Sequence, residues 1–500
     1  MENNVLNFPI LSLLIFVPLA GALIILFLDK EKPIKEIALG VSMSVLLISL
    51  LVLFNFDADE SQAQLVERAT WIDAWGIDYY VGVDGVSLWL LMLTVLISPI
   101  AIVSSFTAIR EREKEYYVSM LLMQTAMTGV FVALDLFLFY VFWEFTLAPM
   151  YFVIGLWGGP RRGYAGIKFF LYSMAGSMFM LLAILYLGQQ GDTCSMPELI
   201  AQNAKWVGSS AEMWLFLAFA VAFAIKASLW PFHSWLPDAH VQAPTAASVI
   251  LAAVMLKMGA YGLLRFNLPL FPQAAHDVAP VVAVLAIIGI VYGAIVSFAQ
   301  TDVKKLLAYS SVSHTGLVML GIFSLNSQGI QGGMLHMVNH GLSMGALVLL
   351  VGVLYERRRT HEMEAFGGLY KLMPRYGAIT LIVTLSSIGL LGLNGFVSVF
   401  VILQGAFARN WVWAAFAASG IFLTAVYMLT MFQKIFLGQS RDPANKELSD
   451  QPLRRHELAA LIPLLILIVC IGLYPAPFFD LMDSTVGGVL EILGTMVPGA

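Results

Sequence analysis

Charged side chains and cysteines are both scarce in this sequence of 500 residues. Only 12% of the residues are Asp, Glu, Lys or Arg, whereas a soluble domain carries roughly 25%. The mean hydropathy is +0.84. So few charges cannot cover a surface that faces water, which excludes a soluble globular enzyme, a disordered chain and a nucleic-acid-binding protein. The two cysteines, Cys194 and Cys470, are too few for a disulfide framework or a metal cluster.

Hydrophobic residues make up 59% of the sequence and lie in long continuous runs. Runs of about 20 apolar residues predict membrane-spanning helices, and their continuity excludes a transmembrane barrel. The sequence therefore predicts an all-α polytopic membrane protein with about fourteen transmembrane helices. These predicted spans, numbered 1 to 14, cover residues 8–28, 37–55, 84–106, 117–134, 136–157, 166–187, 213–232, 244–265, 279–299, 305–324, 329–354, 377–403, 411–435 and 458–478. Because Met1–Asn4 carries no basic residue, we expect span 1 to be a mature helix and not a signal peptide.

Lysine and arginine are distributed unequally between the two sides of the predicted bundle. The loops that follow odd-numbered spans carry 21 of these residues, and the loops that follow even-numbered spans carry 4. Because cytoplasmic loops carry an excess of Lys and Arg, the first set of loops is predicted to be cytoplasmic. We therefore expect a multi-pass protein of the bacterial inner membrane with both termini on the periplasmic side.

The two remaining cationic residues lie in the middle of apolar spans. Lys226 is in span 7 and Lys257 in span 8, and Glu144 is the only acid in span 5. A charge at membrane depth costs about 2.5–3.5 kcal/mol, so such residues normally face the protein interior and mark ion or proton pathways. A buried pair of Glu144 and Lys226 would stabilise both charges, and parting the pair would let the lysine release its proton. The alternative for Glu144 is a hydrogen bond to a neighbouring hydroxyl or amide.

Three histidines and an asparagine lie in spans 10 and 11. His336, Asn339 and His340 share one side of span 11, and His314 lies in span 10. Histidine titrates near neutral pH, which suits a proton relay. Metal binding by the pair in span 11 is the less favoured interpretation because no third ligand is evident. A hydrogen bond to Ser311 is the alternative for His314.

Spans 4–8 and 9–13 form two blocks of five helices. Span 7 contains Pro231, which breaks or kinks a helix, and span 12, at the matching place, contains Gly389, Gly392 and Gly395. An odd number of helices separates the blocks, so they have opposite orientations, as in the inverted repeats of transporters with broken helices. We expect broken helices in spans 7 and 12. The four expected regions are 1–110 with peripheral spans 1–3, 111–268 with the first repeat, 269–440 with the second, and 441–500 with span 14 and a tail.

Long stretches of the sequence resemble the antiporter-like membrane subunits of respiratory complex I, the proton-translocating NADH:quinone oxidoreductase. They include FYVFWEFTLAPMYFVIGLWGG, KASLWPFHSWLPDAHVQAPTAASVILAAVMLKMGAYGLLRF and QTDVKKLLAYSSVSHTGLVMLGI, and the resemblance covers nearly the whole chain. The WEFTLAPMYFVIGLWGG segment, fourteen spans and the absence of a long C-terminal arm are similar to chain M (the chain 4 type), whose nearest relatives are chains L and N. Related subunits occur in multisubunit sodium/proton antiporters and membrane-bound hydrogenases.

The resemblance implies a proton-translocating module that is driven by quinone reduction elsewhere in the complex. It implies that Glu144 pairs with Lys226, the proton-loading residue, that Lys257 links two half-channels, and that His314 and His340 lie on a hydrated axis. Its implied partners are lipid and other membrane subunits, especially chains L and N, and not nucleic acid. The sequence has no phosphate loop, dinucleotide fingerprint or iron–sulfur ligand set. We therefore expect no cofactor in this chain, and FMN, iron–sulfur clusters and quinone in partner subunits.

The sequence departs from the family pattern at Val399. Chain M typically carries a glutamate in a Gly-Phe-Val-Gly-Glu-Phe-like segment of span 12, and here the run from Gly395 to Phe400 has Val399 in the glutamate's place. Valine cannot carry a proton. Either a water chain or a neighbour such as Gln404 bridges the exit half-channel, or this copy pumps poorly or differently. The alternative functions are a subunit of a multisubunit sodium/proton antiporter or related hydrogenase complex, and a structural subunit that has lost pumping.

Overall fold

The structure is a computed structural model that describes residues 8–28, 33–440, 442–450 and 453–496. In this part the chain is a bundle of α-helices with a short β-hairpin. The helices are α1 (Ile10–Phe27), α2 (Ile34–Phe54), α3 (Leu88–Ser104), α4 (Glu113–Val132), α5 (Leu136–Phe145), α6 (Leu147–Trp157), α7 (Arg162–Gly191), α8 (Met196–Ala201), α9 (Ser210–Ala227), α10 (Trp235–Gln242), α11 (Thr245–Ile250), α12 (Leu256–Gly262), α13 (Leu268–Leu270), α14 (Pro272–Phe298), α15 (Val303–Ile322), α16 (Ser327–Arg358), α17 (Leu369–Leu372), α18 (Pro374–Ile388), α19 (Asn394–Arg409), α20 (Trp411–Phe436), α21 (Arg455–Leu473) and α22 (Ala476–Met496). The loop charges predict the side of the membrane on which the two chain termini lie, and both termini are outside the described residues.

The helices coincide in position with the predicted spans. Among the described residues, ten helices or helix runs are long and apolar enough to cross a membrane, and α3 and α19 are shorter apolar helices. Spans 4 and 10 correspond to α4 and α15, which have 20 residues each and carry more polar side chains. The helical membrane fold predicted from the sequence is thus confirmed, and the count of fourteen spans stays a prediction.

Span 7 is interrupted just after Lys226. Helix α9 ends at Ala227, and Ser228 adopts a left-handed conformation with a φ of 60°. Pro231 has no N–H to donate and cannot continue the helix, so α10 begins only at Trp235. The predicted break in span 7 is therefore present, and it places the carboxyl end of a helix inside the bundle.

Span 12 is interrupted at its glycines. Helix α18 ends at Ile388, and Gly389 and Gly392 have φ angles of 89° and 88°, which residues with a Cβ rarely adopt. Helix α19 begins two residues later. A Cβ on Gly395 would stand 2.0 Å from the carbonyl oxygen of Ser386, so the two halves touch through their backbones. The second predicted break is therefore also present.

A β-hairpin connects α2 and α3, and the sequence did not predict it. Strand β1 (Gln64–Ile72) pairs antiparallel with β2 (Ile77–Val83), with Glu67 opposite Val81. The Glu67 carboxylate accepts a hydrogen bond of 2.7 Å from the backbone N–H of Leu11, at the amino end of α1. N–H groups there lack partners within the helix and form the positive end of its dipole, so the hairpin anchors α1.

The segment that the sequence analysis treated as a tail forms helix α22. Its Thr485 hydroxyl accepts a hydrogen bond of 3.0 Å from the N–H of Gly85, and Ser484 donates to the carbonyl of Ala58 at 2.6 Å. These two partners lie on either side of the hairpin in the sequence. Helix α22 therefore covers the end of the bundle that also carries the hairpin.

Asp135 fastens α5 to the hairpin. Its carboxylate accepts hydrogen bonds from the N–H groups of Phe137 and Leu138, both at 2.9 Å, and from that of Asp78 in β2 at 3.2 Å. Burial raises the pKa of Asp135 to about 6, and the three backbone N–H groups oppose that rise. This cap fixes the start of the helix that carries Glu144.

Candidate functional site

Lys226 lies next to the last residue of α9 and is 1% exposed. Its Nζ donates a hydrogen bond of 2.9 Å to Thr146 Oγ1, and it stands 5.2 Å from the ring centre of Trp143 and 5.8 Å from that of Phe169. The carbonyl groups at the end of a helix carry partial negative charge, and aromatic faces attract cations. The break in span 7 thus gives a buried ammonium group polar and aromatic neighbours.

Glu144 faces the same region but does not bind Lys226 directly. No ion pair of 4.0 Å or less joins the two side chains among the ion pairs of the described residues. Each charge still acts on the other. Glu144 Oε1 is buried with no hydrogen-bond partner in the described part of the chain. The two residues are therefore near each other but parted, and Lys226 is bonded to Thr146 instead.

Lys257 lies on α12, which is flanked by two π-helical segments, Leu251–Met255 and Leu263–Asn267. Such segments alter the regular helical hydrogen-bond pattern and recur at functional sites. The Lys257 ammonium donates to the carbonyl of Ala252 in the first segment, and its Nζ lies 2.6 Å from His340 Nδ1. Lys257 therefore joins α12 to α16 through a histidine.

Buried polar side chains continue from His340 through α15 and α16 to α19. The ring centres of His340 and His314 are 4.9 Å apart, and His314 Nδ1 lies 3.1 Å from His336 Nε2. His336 Nδ1 lies 2.9 Å from Ser398 Oγ. We call Lys257, His340, His314, His336 and Ser398 the histidine chain. It brings together three predicted site residues, Lys257, His314 and His340.

The histidine chain ends among polar side chains at the break in span 12. Asn339 Nδ2 donates to Ser398 Oγ at 3.1 Å and to the carbonyl of Asn394 at 2.7 Å. The Ser386 hydroxyl donates to Asn394 Oδ1 at 2.5 Å. These residues tie both halves of the broken helix to α16. Val399 is next to Ser398 and is buried, but it has no polar atom to add to the network.

Two cavities of about 10 Å³ each lie along the histidine chain. Lys257, His314 and His340 line the first, and His336 and Asn339 line the second together with both other histidines. Roughly 10–15 Å³ by this measure holds one water molecule. The Nε2 atoms of His314 and His340 and the Oδ1 atom of Asn339 have no hydrogen-bond partner among the described residues. Both cavities therefore adjoin polar atoms that a water molecule can satisfy.

The two alternative roles considered for the histidines are not supported by the contacts in the structure. The Ser311 hydroxyl donates to the carbonyl of Leu307 at 3.1 Å and not to His314. Within the described ranges, no group of three or more His, Cys, Asp or Glu side chains is placed to hold a metal ion. His314 instead contacts the other two histidines.

Lys226 and Lys257 belong to two separate polar clusters. Their helices touch, since a Cβ on Gly259 of α12 would stand 2.5 Å from the backbone nitrogen of Ala227 in α9. Lys226 nevertheless points to the junction of α5 and α6, whereas Lys257 points to α16. No hydrogen bond of these two side chains joins the clusters in the part of the chain that the structure describes.

A buried ion pair and two hydroxyl groups were missed by sequence reasoning. Arg265, the last residue of predicted span 8 and one of the four cations counted on that side, lies in the π-helical segment Leu263–Asn267, and its guanidinium group pairs with the Asp84 carboxylate. The pairing compensates the buried charge, and the sequence did not predict it. Thr146 and Ser398 carried no signal, since hydroxyl side chains occur in many apolar spans and the sequence does not show which of them face a titratable group.

Two protein-family models match the chain, and together they cover most of its length. A family model described as "NADH:quinone oxidoreductase/Mrp antiporter, TM" matches residues 133–424, and one described as "NADH-ubiquinone oxidoreductase chain 4, amino terminus" matches residues 13–133. The chain belongs to the NADH:quinone oxidoreductase/Mrp antiporter family. The resemblance noted in the sequence is thereby confirmed, together with the multi-pass membrane fold that the family shares.

Members of this family match the chain over nearly its full length. NADH-quinone oxidoreductase subunit M of Rhodobacter capsulatus is 42% identical in an alignment 499 residues long that covers 96% of each chain. NADH-ubiquinone oxidoreductase chain 4 of Arabidopsis thaliana is 40% identical over 484 residues, 96% of this chain and 97% of the relative. A chain in the structure of respiratory complex I from Thermus thermophilus has a TM-score of 0.87 at 29% identity. The match covers 97% of this chain and 100% of that chain. A chain of the Mrp complex from Dietzia sp. DQ12-45-1b, at 24% identity and a TM-score of 0.82, shares the fold.

Proposed function

We propose that this chain is a membrane subunit of a proton-translocating NADH:quinone oxidoreductase, of the subunit M type, and that it carries a proton path driven by quinone reduction elsewhere in the complex. Full-length similarity to proteins of that name supports the assignment to such a complex. The observation that carries the proton path is Lys226, a 1% exposed ammonium group at a helix break that is bonded to a hydroxyl and not to a carboxylate. A charge in such a place is costly in a membrane and is typical of ion pathways.

In this proposal the switch is the pairing and parting of Glu144 and Lys226. When paired, the carboxylate stabilises the ammonium group. When parted, as described above, the buried ammonium group has no carboxylate partner, and burial without one disfavours the charge and favours release of the proton. The proton then moves to Lys257 and from its Nζ to Nδ1 of His340. Because the two lysines lie in separate clusters, the transfer between them requires a water chain or a movement of one side chain.

The arrangement of the chain in the complex is part of the proposal. The loop charges favour a bacterial inner-membrane protein with both termini on the periplasmic side. We place the redox centres, FMN, iron–sulfur clusters and quinone in partner subunits and none in this chain, with chains L and N as its neighbours. Residues 1–110 would form the peripheral helices, 111–268 and 269–440 the two inverted repeats, and 441–500 the last helices.

The two alternative functions differ in their support. A chain of the Mrp complex is covered over 55% of its length, whereas relatives named NADH-quinone oxidoreductase subunit M are covered over 96% or more. This difference favours the oxidoreductase over the sodium/proton antiporter. A structural subunit without pumping is the remaining alternative, motivated by Val399.

Proton pumping by the assembled complex tests the proposal. In membrane vesicles that oxidise NADH, we expect Lys226→Ala to lower NADH:quinone activity and to lower proton pumping by a larger factor, because the proton-loading group is gone. Lys205→Ala is the matched control, since Lys205 is an exposed lysine in the loop before α9. The amount of assembled complex is measured in each strain. Equal activity and pumping in both variants at equal assembly would overturn the proposal and favour the structural subunit.

A further inference from the structure

Within the histidine chain, His336 is the histidine that joins His314 to the broken helix of span 12. Its Nε2 lies 3.1 Å from His314 Nδ1 on α15, and its Nδ1 lies 2.9 Å from Ser398 Oγ on α19. The side chain is 2% exposed, so these contacts replace solvent at both ring nitrogens. A proton that reaches His314 therefore has His336 as its next acceptor on the way to the break.

The hydrogen bonds of Ser398 determine which nitrogen of His336 accepts the proton. The Ser398 hydroxyl donates to the carbonyl of Gly395 at 3.2 Å, and its oxygen accepts a hydrogen bond from Asn339 Nδ2 at 3.1 Å. A serine oxygen has one hydrogen to donate and two lone pairs, so once that hydrogen is assigned to the Gly395 carbonyl, the Ser398 oxygen accepts a hydrogen from His336 Nδ1. Nδ1 of the neutral ring is then the protonated nitrogen, and Nε2 is left as an acceptor that faces His314.

We propose that His336 is the last proton-holding residue of the path in this chain, in the role that Val399 cannot fill. The inference rests on the proposed function. His336 takes a proton at Nε2 from Nδ1 of His314 and becomes an imidazolium ion with both nitrogens protonated. It then gives the Nδ1 proton to the Ser398 oxygen, which releases its own hydroxyl proton to water at the break between α18 and α19, while Lys257 reprotonates His314 through His340. The starting tautomer is restored when water in the adjoining cavity takes the proton left on Nε2 and a proton returns to Nδ1 through the Ser398 hydroxyl, so the ring remains neutral.

The space around His336 suits this release. The second water-sized cavity is lined by His336, Asn339, Ser386 and Gly395, and it thus reaches from the ring to both halves of the broken helix. Asn339 Oδ1 has no hydrogen-bond partner among the described residues and provides an acceptor for a water there. A proton that leaves His336 therefore has a polar route into the break that does not involve position 399.

A rescue experiment in the assembled complex tests the proposal. In vesicles that oxidise NADH, we expect His336→Gln to lower the number of protons moved per electron, because glutamine keeps a hydrogen-bonding amide but cannot hold a proton. Adding Val399→Glu to His336→Gln should restore at least half of the loss, because a titratable group is returned to the same break. His276→Gln, in α14 outside the histidine chain, is the matched control and should pump normally. The ratio per electron does not depend on the amount of complex assembled.

The outcomes separate this inference from the proposed function. A wild-type ratio in His336→Gln would overturn the inference, and so would a double variant that pumps no better than His336→Gln alone. Lys226→Ala is measured in parallel. If it loses pumping while His336→Gln keeps the wild-type ratio, the proposed function stands and His336 is not the last proton-holding residue. If Lys226→Ala itself pumps normally, the proposed function fails.

Discussion

Individual contacts, and not carboxylate partners, stabilise the two buried lysines. Lys226 has a helix end, a hydroxyl and two aromatic rings, whereas Lys257 has a backbone carbonyl and an imidazole. Neither lysine takes part in an ion pair of the described residues. Because each has so few partners, the removal of one polar contact should affect proton transfer directly.

Thr146 provides the sharpest test of this environment. Thr146→Val keeps the shape of the side chain but removes the oxygen that accepts from Lys226, a bond to a charged group worth about 1.5–3 kcal/mol. We expect the variant to pump severalfold fewer protons per electron, whereas Thr146→Ser keeps a hydroxyl and should pump nearly normally. Pumping is measured in vesicles with equal amounts of complex. Similar ratios in the valine and serine variants would show that this hydrogen bond has no role in proton transfer.

The broken helices are the elements that make the polar path possible. In span 7 the break ends α9 beside Lys226. In span 12 it leaves Asn394 to accept hydrogen bonds from the Asn339 amide and from the Ser386 hydroxyl. Irregular backbone at membrane depth is tolerated where it is enclosed by protein or lines a cavity. Each break therefore leaves polar groups without partners in a regular helix and brings other polar groups within hydrogen-bonding distance of them.

The glycines of span 12 should differ in their tolerance to substitution. A Cβ on Gly392 meets open space and only suffers from the left-handed φ of 88°, a cost of about 1–2 kcal/mol. A Cβ on Gly395 would stand 2.0 Å from the carbonyl oxygen of Ser386, so the two helix halves would have to move apart. We expect Gly395→Ala to lower the thermal stability and amount of the assembled complex much more than Gly392→Ala does. The reverse order would contradict the backbone contact.

Hydropathy and a few helix-breaking residues were sufficient to predict most elements. Long apolar runs become helices because a membrane leaves no other partner for backbone N–H and C=O groups, and Pro231 and the glycines of span 12 prevent a regular helix where they stand. The hairpin was missed because its strands lie outside those runs. The role of Thr146 depends on how α5, α6 and α9 are rotated against each other, which periodicity does not determine. The ion pair of Arg265 was missed because its partner, Asp84, is distant in the sequence.

The whole molecule has two chemically different ends. The hairpin and α22 cover one end, and the loops with most of the lysine and arginine residues lie at the other according to the sequence. Because positively charged loops stay in the cytoplasm, the end with the hairpin should face the periplasm.

Cysteine labelling tests this orientation. Glu60, before the hairpin, and Glu111, between α3 and α4, are both exposed. We expect a membrane-impermeant maleimide to label Glu60→Cys in spheroplasts and to label Glu111→Cys only after the membrane is permeabilised. The parent chain corrects for Cys194 and Cys470. Labelling in the opposite order would show that the bundle is inverted.

The most direct measurement is the number of protons translocated per electron by Lys226→Ala, by Lys257→Ala and by the double variant. If both lysines belong to one path through this chain, each single variant blocks that path and the double variant loses no more than either one. We expect the number of protons translocated per electron to be reduced by the same amount in all three variants, with normal assembly of the complex. A wild-type ratio in either single variant, or losses that add in the double variant, would contradict a single path through Lys226 and Lys257.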